Sequence, residues 1–248
     1  MGANRLKLSI IIPTLNRVKE LENCLRSIRA TTDVVYEVIV YANECRDETL
    51  TLLQNFPEVQ VIADSQNKFF TEAVNIAISK ASGEYVFLLN DDTILLRTDW
   101  FEFYQSKLDL NPRIGAVGPY WKNISELPFG WIEPYASMYR RSIFEECGFL
   151  PFVDDSFVLW WSDIYHSYKL MKQGRYLYPL KRAVVDCYVQ HLRVGESGDT
   201  VLAFKEKLSP ECFNFHGKQL MYQRLGIGSD SELAGYYSEA SSVAVNEI

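Results

Sequence analysis

Tyr85-Val86-Phe87-Leu88-Leu89-Asn90-Asp91-Asp92-Thr93 is a run of five apolar residues that stops on an amide and two carboxylates. Five apolar residues without alternation are the pattern of a parallel strand covered on both faces. Ligands of open parallel sheets bind beyond the carboxyl ends of the strands, which is where these acids fall. Upstream, Leu6-Lys7-Leu8-Ser9-Ile10-Ile11-Ile12-Pro13 has the same character, and Leu21, Cys24, Leu25 and Ile28 recur at helical spacing, predicting a helix from about Val18 to Ala30. A strand at Tyr36 to Tyr41, a helix at Asp47 to Gln54, a strand at Gln60 to Ala63 and a helix at Phe70 to Ala81, stopped by Ser82-Gly83, complete the alternation. Four strands interleaved with three helices predict an α/β fold, a Rossmann-like, open, mostly parallel sheet flanked by helices.

Downstream the pattern changes. A helix over Asp99 to Leu110 and a strand over Ile114 to Gly118 are followed by Tyr120 to Pro134, aromatic and proline-bearing without a clean period, which reads as a site-lining loop. Ala136 to Tyr139 predicts a strand, Ser142 to Cys147 a helix, Asp163 to Gln173 a helix ended by Gly174, and Tyr176 to Leu180 and Ala183 to Val189 strands. Residues 1–200 are expected to form one domain of two halves, over about 1–95 and about 96–200. Residues 201–248 are expected to be a C-terminal helical appendage and a tail rich in Ser, Gly and acids.

Composition removes several classes of function. With 48% hydrophobic and 23% charged residues the chain is not a disordered one. Its net charge of −7 repels polyanions, so no nucleic-acid partner is expected. No apolar run reaches the roughly 20 residues of a membrane span. Met1-Gly2-Ala3-Asn4-Arg5 carries no secretory apolar region, and the expected location is cytoplasmic. Five cysteines without a C-x-x-C pair argue against a disulfide framework or a zinc ribbon. The absence of G-x-G-x-x-G, of G-x-x-x-x-G-K-[ST] and of G-x-S-x-G demotes dinucleotide oxidoreductases, P-loop enzymes and α/β-hydrolases.

The acids then define the candidate chemistry. Strand alternation predicts that Asn90 and Asp92 face one way and Asp91 the other. Two oxygen-bearing side chains at a strand end can hold a hard divalent cation together with diphosphate oxygens, and the same triplet is equally an ordinary turn and cap cluster. His191, in Val189-Gln190-His191-Leu192-Arg193, is by itself more often a structural histidine. An imidazole brought beside the carboxylates would favour manganese-like ions over magnesium. Asp163 stands at a predicted helix start, where a carboxylate serves as a plain cap or as a general base. The adjacent Trp160 and Trp161 suit either the core or an apolar platform for a substrate with a flat, C–H-rich face. Of the loop cations Arg17, Lys68, Arg140, Arg141 and Arg193, the last is the first choice for a phosphate contact.

Taken together, Leu8-Ser9-Ile10-Ile11-Ile12-Pro13-Thr14-Leu15-Asn16-Arg17 and Gly83 to Thr93 resemble the family 2 inverting glycosyltransferases of the GT-A fold, and Ser137 to Phe149, Ser162-Asp163 and His191 extend the likeness over about residues 7–197. The resemblance implies an enzyme that moves a sugar from a nucleotide-diphosphate sugar to a hydroxyl of a glycan, a lipid-linked sugar or a small molecule, with inversion. It makes Asn90-Asp91-Asp92 the counterpart of the family's D-x-D motif and implies a divalent cation, Mn2+ or Mg2+, on Asp92 with His191. It implies Asp163 as catalytic base, and Pro13, Thr14, Arg17, Asn43, Asn67, Asn90, Asp91 and Arg193 around the nucleotide sugar. A lipid-linked acceptor would bring the chain to a membrane surface, although no basic amphipathic helix supports this.

The chain departs from the family at three places. Ala42 stands where the second strand usually ends in a base-reading Asp, Lys68-Phe69-Phe70 follows Asn67 where a glycine is usual, and Ser162 replaces the Glu of the Glu-Asp motif. The rival reading is a non-catalytic nucleotide-sugar-binding protein on the same fold. A nucleotidyltransferase would want a glycine-rich N-terminal phosphate loop, and Ile12 to Arg17 has no glycine.

Overall fold

The computed structural model describes residues 6–121, 130–146 and 162–192. In chain order the elements are β1 (Leu8–Thr14), α1 (Val18–Thr31), β2 (Tyr36–Asn43), α2 (Thr49–Leu53), β3 (Val59–Asp64), α3 (Phe69–Ile78), β4 (Tyr85–Leu89), β5 (Thr93–Leu95), α4 (Trp100–Leu108), β6 (Ile114–Trp121), β7 (Trp131–Ile132), β8 (Ala136–Arg140), α5 (Ser142–Glu146), α6 (Ser162–Lys172), β9 (Tyr176–Leu180), α7 (Arg182–Val185) and β10 (Val189–His191). The main sheet runs β3-β2-β1-β4-β8-β6-β7, with β9 beside β6. Its first four strands are parallel, β8 is antiparallel to both β4 and β6, and β9 is parallel to β6. The expected open, mostly parallel α/β sheet is therefore present. The predicted appendage at 201–248, Trp160, Trp161 and Arg193 lie outside the described residues.

The apolar runs are continuous because each strand feeds two cores. Leu8, Ile10 and Ile12 of β1, Val38 and Val40 of β2, and Tyr85, Phe87 and Leu89 of β4 join the cluster with α1, α2 and α4. Their alternates Ile11, Ile39, Tyr41, Val86 and Leu88 join the cluster with α3, α5 and α6. The two-residue period of strand side chains thus survives as a division between faces, although both faces are apolar. Burying each such Leu, Ile or Phe stabilises the fold by about 1.5–3 kcal/mol.

Helix α1 shows how the strand-end loops lean on one another. Its N-cap residue, Arg17, makes no side-chain cap. Asp47 supplies one from the β2–α2 loop, accepting the Val18 amide on Oδ2 at 3.2 Å and the Thr49 amide of α2 on Oδ1 at 3.1 Å. One carboxylate therefore caps two helices and binds the loop after β1 to the loop after β2.

Two expectations are corrected. Ala183 to Val189 is not a strand: Arg182–Val185 is a helical turn and the strand is Val189–His191. Val185 and Val189 are fully buried but Cys187, midway between them, is exposed, so the burial does not follow the two-residue period of a strand. Local bonds from the Val184 and Val185 amides to the Lys181 carbonyl close the turn. The segment Tyr120 to Pro134 is also not wholly loop, because β6 extends to Trp121 and β7 folds back on it, pairing Tyr120 with Ile132 and Trp121 with Trp131. Residues 122–129 between them lie outside the described residues.

The crossover into β4 depends on a close approach at Gly83. A Cβ there would lie 2.6 Å from the Leu8 carbonyl carbon and from the Ser9 nitrogen, both backbone atoms that cannot yield locally. The Gly83 amide donates to Ser9 Oγ at 2.8 Å and its carbonyl accepts from Arg141 Nε at 2.9 Å, so the residue is fixed from both sides. Gly83→Ala is expected to lower stability by about 1–3 kcal/mol in urea unfolding, the usual cost of overpacking.

Candidate active site

The turn after β4 sits at the sheet's topological switch, where β1 has β2 on one side and β4 on the other. Asp91 and Asp92 are 7% and 4% exposed, so both carboxylates are held inside the protein. Strand alternation does not govern them. β4 ends at Leu89, residues 91 and 92 form a turn, and both acids face one guanidinium: Arg17 Nη1 lies 3.8 Å from Asp91 Oδ1 and 3.4 Å from Asp92 Oδ2. Thr14 Oγ1 donates to Asp91 Oδ2 at 2.8 Å. Burial pushes the Asp91 carboxyl up to about 7, with Arg17 and the Thr14 bond pulling the other way and Asp92 adding to the rise.

The turn is pinned from below by α1. Thr93 Oγ1 donates to the Asn90 carbonyl at 2.5 Å, Cys24 Sγ lies 3.7 Å from the same oxygen, and Ser27 Oγ accepts the Leu95 amide at 3.0 Å. Cys24 belongs to the helical stripe that the sequence shows as core, and Ser27 is buried beside it. Their polar atoms nonetheless fix the backbone that carries the acids. Asn90 itself is half-buried, and its amide donates to the Tyr135 carbonyl at 3.1 Å.

His191 arrives from the far end of the chain. β10 pairs with β5 antiparallel, setting His191 opposite Thr93, and the Leu192 amide donates to the Asp92 carbonyl at 2.9 Å. His191 Nε2 consequently lies 3.2 Å from Asp92 Oδ1. Cis ligands of an octahedral ion with bonds of about 2.1 Å stand about 3.0 Å apart, so this carboxylate oxygen and imidazole nitrogen fit one cation. Among the described residues no three His, Cys, Asp or Glu side chains converge into a cage. Among the described residues Asp92 Oδ1 and His191 Nε2 are the pair whose spacing would suit such an ion.

Asn43 and Asn67 are spent on the scaffold. Asn43 Nδ2 donates to Asn67 Oδ1 at 2.8 Å and to the Phe69 carbonyl at 3.2 Å, while its Oδ1 accepts the Lys68 amide at 2.7 Å. Asn67 Oδ1 also accepts the Phe69 amide at 2.7 Å. Both Nδ2 hydrogens of Asn43 are thus engaged within the protein, and its Oδ1 holds the Lys68 amide. The loops it braces carry three non-glycine residues with left-handed backbone, Asn16 (φ 52°), Glu44 (φ 58°) and Phe69 (φ 57°), one after each of the first three strands. Phe69 lies in the segment where the related family has its glycine.

The other loop cations are mostly structural. Arg140 is tied to the Leu108 carbonyl and Asp109, Arg141 to the Gly83 carbonyl and Glu145, and Lys68 pairs with Glu72. Only Arg17 of the described set reaches the buried acids.

Asp163 stands in the first turn of α6, half-buried, with Oδ1 accepting the Ile164 amide at 2.9 Å. The Trp131 side chain also hydrogen-bonds it, from β7, and β7 is fastened to α6 by the Ile132 amide on Ser167 Oγ at 3.1 Å. Burial pushes Asp163 up to about 6, the nearby Glu133 adds to the rise, and the Ile164 and Trp131 bonds oppose it. Trp131 and Glu133 come from the aperiodic segment, which the sequence marks as site-lining without singling them out, and Tyr135 directly follows it.

Comparison with known proteins accords with this geometry. The sequence pattern described as glycosyl transferase family 2 matches residues 9–165. An uncharacterized glycosyltransferase, YwdF of Bacillus subtilis, is 26% identical over 166 residues, 58% of this chain and 62% of that protein. The GalNAc(5)-diNAcBac-PP-undecaprenol beta-1,3-glucosyltransferase of Campylobacter jejuni is 33% identical over 99 residues, 36% of this chain and 31% of that one. The chain thus spans about a third to three fifths of these relatives. Among solved structures, the mannosyltransferase PcManGT of Pyrobaculum calidifontis, in complex with GDP-Man and Mn2+, aligns with TM-score 0.62 at 17% identity, covering 98% of this chain and 77% of that one. TarS 1-349 of S. aureus in complex with UDP-GlcNAc aligns with TM-score 0.65 at 16% identity, covering 95% and 72%. These likenesses establish the GT-A fold, and with the match across residues 9–165 the chain belongs to glycosyl transferase family 2.

Proposed function

We propose that this protein transfers a sugar from a nucleotide-diphosphate sugar to an acceptor hydroxyl with inversion, using residues 1–95 for the donor and 96–200 for the acceptor. The observation that carries this reading is the convergence of Asp92 and His191, 99 positions apart in sequence, to 3.2 Å beside Arg17 at the sheet switch point. Pro13, Thr14, Arg17, Asn90 and Asp91 wall the donor site, and Arg193, two positions after His191 in sequence, is assigned a phosphate contact. A divalent cation held by Asp92 and His191, Mn2+ or Mg2+, would supply Lewis-acid neutralisation of the leaving diphosphate. PcManGT carries Mn2+ with its GDP-Man, which supports that assignment.

The chain's own groups do the rest. Asp163, ionised at neutral pH yet more basic than a free carboxylate, takes the proton of the acceptor hydroxyl as that oxygen attacks the anomeric carbon. The bond from that carbon to the diphosphate oxygen breaks as the new one forms, and the configuration inverts. Arg17 faces the developing charge. Trp160 and Trp161, directly before α6, are proposed to bound the acceptor. The acceptor is a glycan, a lipid-linked sugar or a small hydroxylated molecule. The name of the Campylobacter relative supports a lipid-linked one.

Calorimetric titration with UDP, GDP, dTDP and CDP, each with Mn2+ and then with EDTA, tests the donor half. One nucleotide should bind in a cation-dependent manner, and Asp92→Ala should remove that dependence; equal binding in EDTA would exclude the cation role. With the matching nucleotide sugar, Asp163→Asn should retain donor binding and lose about 10²–10⁴-fold in rate. Transfer by the wild type should rise with pH through about 6 as Asp163 ionises. Full-rate transfer by Asp163→Asn would remove the base assignment, and binding without transfer by the wild type would favour the non-catalytic rival.

The raised Asp163 also sets a stability slope. Between its ordinary value of 3.8 and its folded value of about 6 the native state holds more protons than the unfolded chain, so stability falls as pH rises through that window. Relative to wild type, Asp163→Asn should therefore gain on the order of 2 kcal/mol in urea unfolding between pH 4 and pH 8. A constant difference across that range would show that the carboxylate is not perturbed.

A further inference from the structure

His191 is held in an unusual way for a metal-binding histidine. Such a side chain ordinarily donates its second ring N–H to a carboxylate or carbonyl, and that bond orients the ring. Here Nδ1 is buried and has no hydrogen-bond partner among the described residues. What the imidazole has instead is a ring beneath it. Tyr135 lies parallel to it, 4.3 Å between centroids and 10° between planes. Tyr135 is itself 5% exposed, and its carbonyl accepts the Asn90 amide, so the platform is fixed to the acid-bearing turn.

The strand that carries His191 is short and needs its own anchor. β10 has three residues, and its partner β5 has three. Just before β10, the Tyr188 carbonyl accepts the Leu96 amide at 2.8 Å, and the Tyr188 ring stacks on Phe103 of α4 at 4.1 Å and 14°. The guanidinium of Arg97 lies 5.0 Å from the Tyr188 ring centre, and the ammonium of Lys107 lies 5.0 Å from that of Phe103. Two aromatic stacks thus grip the ribbon, one on the imidazole and one three residues before it.

Resting on the cation reading above, we propose that Tyr135 and Tyr188 are positioning residues of the cation site: Tyr135 fixes the plane of the His191 ring in place of the usual hydrogen bond, and Tyr188, stacked on Phe103, fixes the strand that delivers it. Neither touches the cation. Their rings matter and their hydroxyls do not, which separates this arrangement from one orienting the histidine through a hydrogen bond.

The test is the dissociation constant for Mn2+, read from the EPR signal of the free ion, with Mn2+ alone and with UDP or GDP added. The proteins compared are wild type, His191→Ala, and the Leu and Phe variants of Tyr135 and Tyr188. Tyr135→Leu and Tyr188→Leu should weaken Mn2+ binding about tenfold or more, while both Phe variants stay within about twofold of wild type. Should Tyr135→Leu fail to fold, as judged by its melting transition, Phe103→Leu carries the test, because it removes a stack without altering the ribbon. Leu variants that bind as wild type while His191→Ala does not would overturn the positioning role and leave the cation site standing. Equal losses in the Leu and Phe variants would overturn it in favour of the hydroxyls. Absence of Mn2+ binding by the wild type in every arm would overturn the cation reading itself, and the proposal with it.

Discussion

Two carboxylates on consecutive residues, both nearly buried, are the constraint around which this structure is arranged. Burying one ionised carboxylate costs several kcal/mol, and placing a second beside it adds repulsion. Asp91 and Asp92 are tolerated because Arg17, Thr14 and His191 converge on them from three separate elements. The balance is incomplete, since burial still holds Asp91 well above the ordinary carboxylate range. Burial thus leaves a surplus cost on the acidic turn, which Asp91 relieves in part by holding its proton near neutral pH. The same surplus explains why the turn is pinned so heavily by Cys24, Ser27 and Thr93. Without those bonds the acids would gain by swinging out into water.

Strain is concentrated on the same edge. Asn16, Glu44 and Phe69 all adopt left-handed backbone, Asn16 and Glu44 in the loops after β1 and β2 and Phe69 at the start of α3, which follows β3. For residues other than glycine such conformations cost of order 1 kcal/mol or more each and persist only where neighbours impose them. At Phe69 the imposing groups are Asn43 and Asn67, whose amides bond its N–H, its carbonyl and the preceding amide. The backbone turn that a glycine takes freely is here kept by hydrogen bonds. Asn43 is thus a structural brace, a role its position at a strand end disguises.

What was legible in the sequence divides along the range of the interactions. Periodicity and continuous apolar runs reveal β1, α1, β2 and β4 nearly to the residue, because burial on two faces leaves a local trace. The acids at 91 and 92 are legible as a strand-end cluster, but their common orientation is not, since alternation stops where the strand stops. His191 could be singled out but not placed. Its meeting with Asp92 depends on a three-residue ribbon, and on a helical turn at Arg182–Val185 that β-branched residues made look like strand. Trp131 and Glu133 lie where no period exists, and Tyr135 lies between that segment and the next predicted strand, so nothing but their contacts distinguishes them.

The departures from the family also look different once the contacts are known. Ser162 stands where an acidic neighbour of the base is usual, and a chain lacking that charge would be expected to leave Asp163 nearer its ordinary value. Glu133, reaching the same region from the β7–β8 connection, acts on Asp163 in the direction an adjacent acid would. The Trp131 side chain and the Ile164 amide act against it, and burial exceeds both, leaving a carboxylate near 6. Such a group is mostly ionised at neutral pH and close enough to it to accept a proton with little driving-force penalty. Asp163 is therefore raised first by its burial and then by Glu133, thirty positions upstream, so the loss of the local motif does not entail the loss of its electrostatic effect.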